Sequence, residues 1–184
     1  MKNHGFSIVE LIVVIAIIGT ILSIVSINFG RWQLKNNIEK QTNEMYIEIA
    51  EARQLALNTR QARSIRFLTN SLVFRRYTSD TDLESGTGVL VKTKTLTYPI
   101  TSSAPWTVPP GGNTNFSTAD ILFTTRGVMN EPTAKAICIY STVGPALDAI
   151  VIVQSRVAAG KINLQGGTCG TDKIDIKGNR FFTY

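Results

Sequence analysis

One acidic residue inside an apolar run is the feature of this sequence with the clearest chemical meaning. Glu10 is the only charged side chain between Phe6 and Phe29. A carboxylate within the hydrocarbon layer of a membrane costs a few kcal/mol and usually marks a function with a nearby partner. One helical turn separates Glu10 from Phe6, so the pattern predicts that Glu10 meets a positive charge supplied by another chain.

The run that contains Glu10 is long enough to cross a bilayer. It extends over residues 6 to 27, and a helix rises about 1.5 Å per residue. The run is longer than the apolar region of a secretory signal, and no A-x-A-like cleavage site follows it. The positive charges that flank the run are nearly balanced, so the positive-inside rule orients the segment only weakly. They are Lys2 on one side and Arg31 and Lys35 on the other.

The residues at the start of this run follow a recognisable pattern. Gly5-Phe6-Ser7-Ile8-Val9-Glu10-Leu11 resembles the N-terminal signal of type IV prepilins and pseudopilins, in which Gly-Phe-Thr/Ser-x-x-Glu precedes an apolar helix. The resemblance implies that a prepilin peptidase cuts between Gly5 and Phe6 on the cytoplasmic face and methylates the new N-terminus at Phe6. It also implies that Glu10 pairs with the N-terminal amine of a neighbouring pilin or pseudopilin during assembly. Two charges that are each costly in lipid become tolerable together, which sets the register between subunits.

Outside this signal, few residues could carry catalysis or bind a metal. The only histidine is His4, and no Cys-x-x-Cys pair occurs. A Ser-His or Cys-His arrangement and a zinc site are therefore excluded from the processed chain. Asp80, Asp82 and Glu84 could hold calcium, but they lack EF-hand-like spacing and are typical of a solvated acidic loop. We expect no enzyme activity, no cofactor and no metal.

The two cysteines, Cys138 and Cys169, are compatible with two pairing states. In an oxidising envelope compartment a disulfide is favoured. It would close a loop of about thirty residues and constrain the unfolded chain by roughly 3 kcal/mol in the loop-entropy model. The alternative is a pair of buried free thiols.

Length and composition indicate one folded domain with a long additional element. The chain has 184 residues, of which 43% are hydrophobic, and intrinsic disorder is not expected at that content. The formal net charge of +6 favours anionic surfaces such as lipid headgroups or nucleic acid, although a solvated basic surface is the simpler explanation.

The helix is predicted to continue as an amphipathic half over residues 30–63. No Gly or Pro occurs between Arg31 and Arg63. Apolar or small residues recur there at three- and four-residue steps with one seven-residue gap, which predicts a stripe that packs on a sheet. The stripe consists of Leu34, Ile38, Met45, Ile49, Ala52 and Ala56, with Leu55 beside them. Glu44 and Glu48 carry the same charge and lie one turn apart. The helix face that they share is therefore not arranged for ion pairs between residues of the helix itself.

Residues 64–184 are predicted to form a β-rich globular domain. Strands are expected at 65–68, 72–77, 89–98, 121–124, 136–140, 149–153 and 173–177, with a weaker one at 156–157. Thr69-Asn70-Ser71 indicates a hairpin between the first two strands. Residues 99–115, which contain three prolines beyond Pro99 and a Gly-Gly pair, are expected to form a long loop. A long N-terminal helix followed by antiparallel strands is an α+β arrangement, as in pilins.

Within the pilin-like families, this order is similar to the GspH/FimT group of minor pilins and minor pseudopilins. The stretches that carry the resemblance are Ala52-Arg53 and Ala56-Leu57 leading to Ile65-Arg66-Phe67, Ile121-Leu122-Phe123 followed by Arg126-Gly127, and Ala149-Ile150-Val151-Ile152-Val153 followed by Ser155-Arg156-Val157. In the group the last stretch commonly ends in Gly-Arg, whereas this sequence has Ser155 before Arg156.

The resemblance implies a minor subunit of a type IV pilus or of a type II secretion pseudopilus that helps to start fibre assembly. It implies a leader at residues 1–5 and a transmembrane assembly helix at residues 6–29. The chain would cross the bacterial inner membrane once, with its globular domain on the periplasmic side, before it enters the envelope fibre.

DNA binding for the uptake of transforming DNA is the alternative function. Lysines and arginines could contact phosphates while aromatic rings stack on bases. The C-terminal candidates are Lys173, Lys177 and Arg180, interleaved with Phe181, Phe182 and Tyr184, with Asp172 and Asp175 among them. Arg75-Arg76 and Lys92/Lys94 form a comparable basic set.

Overall fold

The computed structural model describes residues 7–82, 88–102, 120–130, 134–139, 141–162, 169 and 174–176. Within them, one long helix precedes nine strands. The elements are α1 (Ile8–Thr59), β1 (Arg63–Leu68), β2 (Ser71–Arg76), β3 (Val89–Thr95), β4 (Ile100–Ser102), β5 (Ile121–Phe123), β6 (Lys135–Ile139), β7 (Ala149–Val153), β8 (Arg156–Ile162) and β9 (Ile174–Asp175).

Helix α1 has a defined cap at each end. The hydroxyl of Ser7 accepts a hydrogen bond from the N–H of Val9 at 3.4 Å, which satisfies one of the free donors of the first turn. At the other end Arg60 adopts the left-handed conformation with φ 52°, a common way to stop a helix. The helix therefore ends at Thr59, four residues before the predicted end at residue 63.

The N-terminal part of α1 bends before it reaches the domain. Among the described residues, no single straight helix is long and apolar enough to cross a membrane. Two helical segments meet that criterion when they are taken together, and their axes differ in direction by 42°. They are Ile8–Ser23 and Asn28–Thr59. The hydroxyl of Ser23 donates to the carbonyl of Gly19 at 2.8 Å, and such back-bonding often bends helices.

The strands form two antiparallel sheets. The first has four strands in the order β3-β2-β1-β5, and the second has five in the order β4-β6-β7-β8-β9. The predicted α+β fold, a long helix packed on antiparallel sheets, is confirmed. The predicted hairpin is also confirmed, since β1 and β2 pair directly and Leu68 lies opposite Ser71.

One loop prediction and one strand prediction were wrong in extent. Ile100–Ser102, placed in the loop at 99–115, forms β4 and pairs with β6, where Ile100 is buried opposite Ile139. The weak strand at 156–157 extends to Ile162. A glycine such as Gly160 usually indicates the end of a strand, but here it lies within β8 and lets β9 approach closely. A Cβ at this position would lie 2.6 Å from a methyl carbon of Ile174. Residues 103–119 of the predicted loop lie outside the described residues.

The core lies between the second half of α1 and both sheets. The helix contributes the predicted stripe, in which Ile38, Met45, Ile49, Ala52 and Ala56 are buried. The sheets contribute Ile65, Phe67, Leu72, Phe74, Ile121, Phe123, Ile137, Ile139, Ile150 and Ile152. The seven-residue gap in the stripe is occupied by two buried polar residues, Gln41 and Thr42.

Candidate functional site

The first half of α1 presents apolar side chains in every direction. The large apolar side chains that the structure describes there are 43–75% exposed. They are Ile8, Val9, Leu11, Ile12, Val13, Val14, Ile15, Ile17, Ile18, Ile21 and Leu22. A helix that is apolar all round needs lipid or other helices around it. We call residues 8–29 the apolar half-helix.

Glu10 lies in the first turn of the apolar half-helix. Its carboxylate is exposed, and no ion pair to it is present in the part of the chain that the structure describes. The positive end of the helix dipole favours a negative charge at this position. The carboxylate is therefore available to a cation from another molecule. Gly5 and Phe6 lie outside the described residues, so the cleavage and methylation sites stay predictions.

Gln41 ties the helix to the segment between β3 and β4. Its side-chain N–H donates to the carbonyl of Tyr98 at 2.7 Å, and its side-chain oxygen accepts from the N–H groups of Thr97 and Tyr98 at 2.9 and 2.8 Å. The segment leads from the four-stranded sheet into the five-stranded sheet. Gln41 thus fixes α1 against the connection between both sheets.

A second set of hydrogen bonds fastens the loop between β6 and β7 to α1. The carboxylate of Glu39 accepts from the N–H of Ala146 at 2.6 Å. The hydroxyl of Thr42 lies 3.0 Å from the carbonyl of Ile38 and 3.4 Å from that of Leu147. These contacts hold the second half of α1 against the domain at several points.

Two of the stretches that resemble the GspH/FimT group meet in space. The guanidinium of Arg53 donates to the carbonyl of Gly127 at 2.9 Å. Gly127 has φ +65°, and a Cβ there would lie 2.4 Å from the side chain of Leu57. The turn after β5 therefore needs glycine both for its backbone conformation and for contact with the helix.

A row of glutamates on α1 pairs with two lysines of β3, a contact that the sequence analysis missed. Lys92 contacts Glu48 and lies 3.5 Å from Glu51, and Lys94 lies 2.9 Å from Glu44. The hydrogen bond from Lys94 lowers the pKa of Glu44. Burial alone would lower the pKa of Lys92, but its hydrogen bond to Glu48 and the nearby negative charges outweigh burial, and the pKa is raised.

These ion pairs involve two of the basic residues that were predicted as possible DNA contacts. Lys92 and Lys94 are neutralised by the glutamates of α1, and Arg75 donates to the carbonyl of Gly88 at 3.5 Å. Lys92 and Lys94 are therefore poor contacts for phosphates. Lys173, Lys177 and Arg180 lie outside the described residues, so DNA contact through the C-terminus stays a prediction.

The remaining predicted site residues have structural roles where they are described. Cys138 and Cys169 form a disulfide with a Cα–Cα distance of 5.9 Å. Asp80 accepts hydrogen bonds from the N–H and hydroxyl of Thr125 at 2.7 and 2.9 Å, and Asp82 accepts from the N–H of Ser79. The described residues contain no group of metal-binding side chains. Glu84 lies outside them.

Comparison with known proteins identifies the N-terminal segment. Residues 1–26 match the model of the prokaryotic N-terminal methylation motif. The chain therefore carries an N-terminal methylation motif, which confirms that part of the resemblance drawn from Gly5-Phe6 and Glu10. No curated protein matches the sequence significantly.

Two solved structures are similar to this chain. The type IV minor pilin FimU of Pseudomonas aeruginosa is 16% identical, with a TM-score of 0.48 over 75% of this chain and 98% of that one. The minor pseudopilin EpsH from the type 2 secretion system of Vibrio cholerae is 12% identical, with a TM-score of 0.48 over 68% of this chain and 97% of that one.

Proposed function

We propose that this chain is a minor pilin or minor pseudopilin, a subunit of a type IV pilus or of a type II secretion pseudopilus. One observation carries the proposal: a helix headed by the methylation motif is exposed and apolar on all sides in its first half and anchored in the domain by its second half. A subunit of this form can exchange lipid for the helices of its neighbours without unfolding its domain.

In the proposed mechanism, the peptidase removes residues 1–5 and methylates the amine of Phe6. The domain lies on the extracytoplasmic side of the inner membrane, where an oxidising compartment suits the Cys138–Cys169 disulfide. Glu10 then pairs with the N-terminal amine of the adjacent subunit. Outside an ion pair both charges are costly in lipid, so the pair fixes the axial register of the two helices.

The proposal assigns the chain to the start of assembly, near the tip of the fibre. The sequence stretches similar to the GspH/FimT group support this assignment, and two of them form one contact between α1 and the turn after β5. Incorporation is proposed to occur through residues 6–29, while the sheets remain outside the helical bundle.

Glu10→Ala tests the assembly step. The variant should still enter the membrane and be processed, but it should be depleted at least tenfold from sheared fibres, which requires a loss of only about 1.4 kcal/mol of contact free energy. Immunoblots of the membrane and fibre fractions measure both quantities. Glu51→Ala, which changes an exposed glutamate on the second half of the same helix, should be incorporated normally. Incorporation of Glu10→Ala at the level of the unmodified chain would contradict the proposed role.

A further inference from the structure

A basic groove lies where the apolar half-helix meets the domain. Its volume is about 510 Å³, and its walls come from α1 and from the loop between β6 and β7. The lining residues are Asn28, Arg31, Trp32, Lys35, Thr142 and Val143. We propose that this groove binds the headgroup phosphate of an anionic phospholipid. The inference rests on the proposed function, which places the apolar half-helix in the membrane.

The position of the groove corresponds to the surface of the bilayer. The twenty-two residues from Ile8 to Phe29 have a helical path of about 33 Å, which includes the 42° bend between Ser23 and Asn28, and the hydrocarbon layer is about 30 Å thick. The aromatic side chains of Phe29 and Trp32 are 54% and 59% exposed, with ring centroids 5.7 Å apart. Tryptophan rings such as that of Trp32 concentrate at the level of the headgroups.

The charge of the groove suits a phosphate. Arg31 and Lys35 are one helical turn apart and share a face of α1. None of the lining residues is acidic, and neither cation has an ion-pair partner within the described ranges. Glu39, one turn further along, is hydrogen-bonded to the N–H of Ala146 at 2.6 Å. An arginine can bind a phosphate through two parallel hydrogen bonds, while a lysine adds a point charge.

The wall opposite the helix is held in place without a ligand. The N–H of Val143 donates to the hydroxyl of Ser141 at 3.1 Å, and the side chain of Val143 packs against the main core together with Leu34. Thr142, at the rim, offers a hydroxyl for ester or glycerol oxygens. Because the groove exists before binding, little ordering free energy opposes the ligand. The bound lipid would hold the domain at a fixed height above the membrane until assembly withdraws the helix.

Native mass spectrometry of the full chain in detergent tests the proposal. Phosphatidylglycerol and phosphatidylcholine with the same acyl chains are titrated in parallel. We expect phosphatidylglycerol to be retained about tenfold more strongly, and we expect the double variant Arg31→Gln, Lys35→Gln to lose this preference. The matched variant Lys40→Gln, Arg126→Gln removes two exposed charges outside the groove and should keep it. An unchanged preference in the first variant, or no preference in the unmodified chain, would overturn the proposal.

Competitors distinguish lipid from other phosphates. Inorganic phosphate and a short DNA duplex are added to the complex with phosphatidylglycerol, and the bound lipid should remain. Displacement by inorganic phosphate would show that the groove recognises the free ion. Displacement by the duplex would reassign the groove to nucleic acid. Either displacement contradicts the lipid proposal.

A fluorescence measurement separates this proposal from the proposed function. The chain has two tryptophans, and Trp106→Phe leaves Trp32 as the only one. In bilayer discs that contain lipids brominated near the headgroup, Trp32 should be quenched. Quenching without a preference for phosphatidylglycerol would refute the lipid site alone. If Trp32 were not quenched, the membrane placement on which both proposals depend would be wrong.

Discussion

Replacement of Gln41 by leucine removes the polar contact that fixes α1 against the connection between the two sheets. The side chain is 7% exposed, and it makes three hydrogen bonds of 2.7–2.9 Å to the backbone of Thr97 and Tyr98. Leucine fills a similar volume but can neither donate nor accept. The variant therefore tests the hydrogen bonds with little change in packing.

The expected loss of stability follows from these bonds. Each intramolecular hydrogen bond contributes about 1 kcal/mol net, and a buried group left without a partner costs more. Thr97 is exposed, so its N–H regains water, and the remaining loss is about 2 kcal/mol. In a chain of this size about 1 kcal/mol changes Tm by roughly 2–4 °C, which gives a fall of about 4–8 °C.

Thermal unfolding of the full chain in detergent, followed by near-ultraviolet circular dichroism, measures this change. Gln54→Leu is the matched control, because Gln54 is exposed and its one side-chain hydrogen bond among the described residues goes to Asn58 at 3.3 Å. The control should stay within about 0.5 kcal/mol of the unmodified chain. Gln41→Glu retains both acceptor contacts and should lie between the two. If Gln41→Leu unfolded within about 1 °C of the unmodified chain, or if Gln54→Leu lost as much, the proposed role of Gln41 would be refuted.

Two further predictions concern the five-stranded sheet. Cys138→Ser with Cys169→Ser should lower the unfolding free energy by about 3 kcal/mol in non-reducing chemical denaturation, and a chain whose stability is the same with and without reductant would contradict a structural disulfide. Burial raises the pKa of Asp148. The protonated carboxyl therefore stabilises the folded chain fully below the unfolded pKa of about 4, and this stabilisation is lost as the pH rises through the higher folded pKa. Asp148→Asn, which keeps an acceptor for the N–H of Ile162, should remove this loss from the pH dependence of unfolding, and an unchanged profile would contradict the assignment.

The N-terminal methylation motif could be predicted from sequence because each of its signals is local. Gly5-Phe6, Glu10 and the apolar run lie within one segment. The apolar composition of that run alone predicts that it lies in lipid. The stripe of α1 was also predictable, since a helix facing a core must repeat its apolar residues every three or four positions. Only tertiary contact could show why the stripe is interrupted: Gln41 is polar because it meets the backbone near Tyr98.

The features that the sequence did not predict also depend on contacts between residues that are distant in the chain or on backbone conformation. Glu44 and Glu48 repel each other within the helix, but across the interface they meet Lys94 and Lys92 of β3. The strand at Ile100 follows a proline and precedes a segment rich in Gly and Pro, so its local signal was that of a loop. Its partner strand lies almost forty residues away in the chain, a distance over which local patterns predict little. Arg60 shows that a helix can end without glycine when its own backbone adopts the left-handed conformation.

The most direct test of the account is the identity of the mature N-terminus. The full chain is produced together with a prepilin peptidase, and the N-terminal peptide is sequenced by tandem mass spectrometry. The account predicts a peptide that begins at Phe6 and carries one methyl group on its amine, followed by an intact apolar segment. A chain that begins at Met1, or one cut after the apolar run, would contradict the claim that the helix remains in the protein as its assembly element.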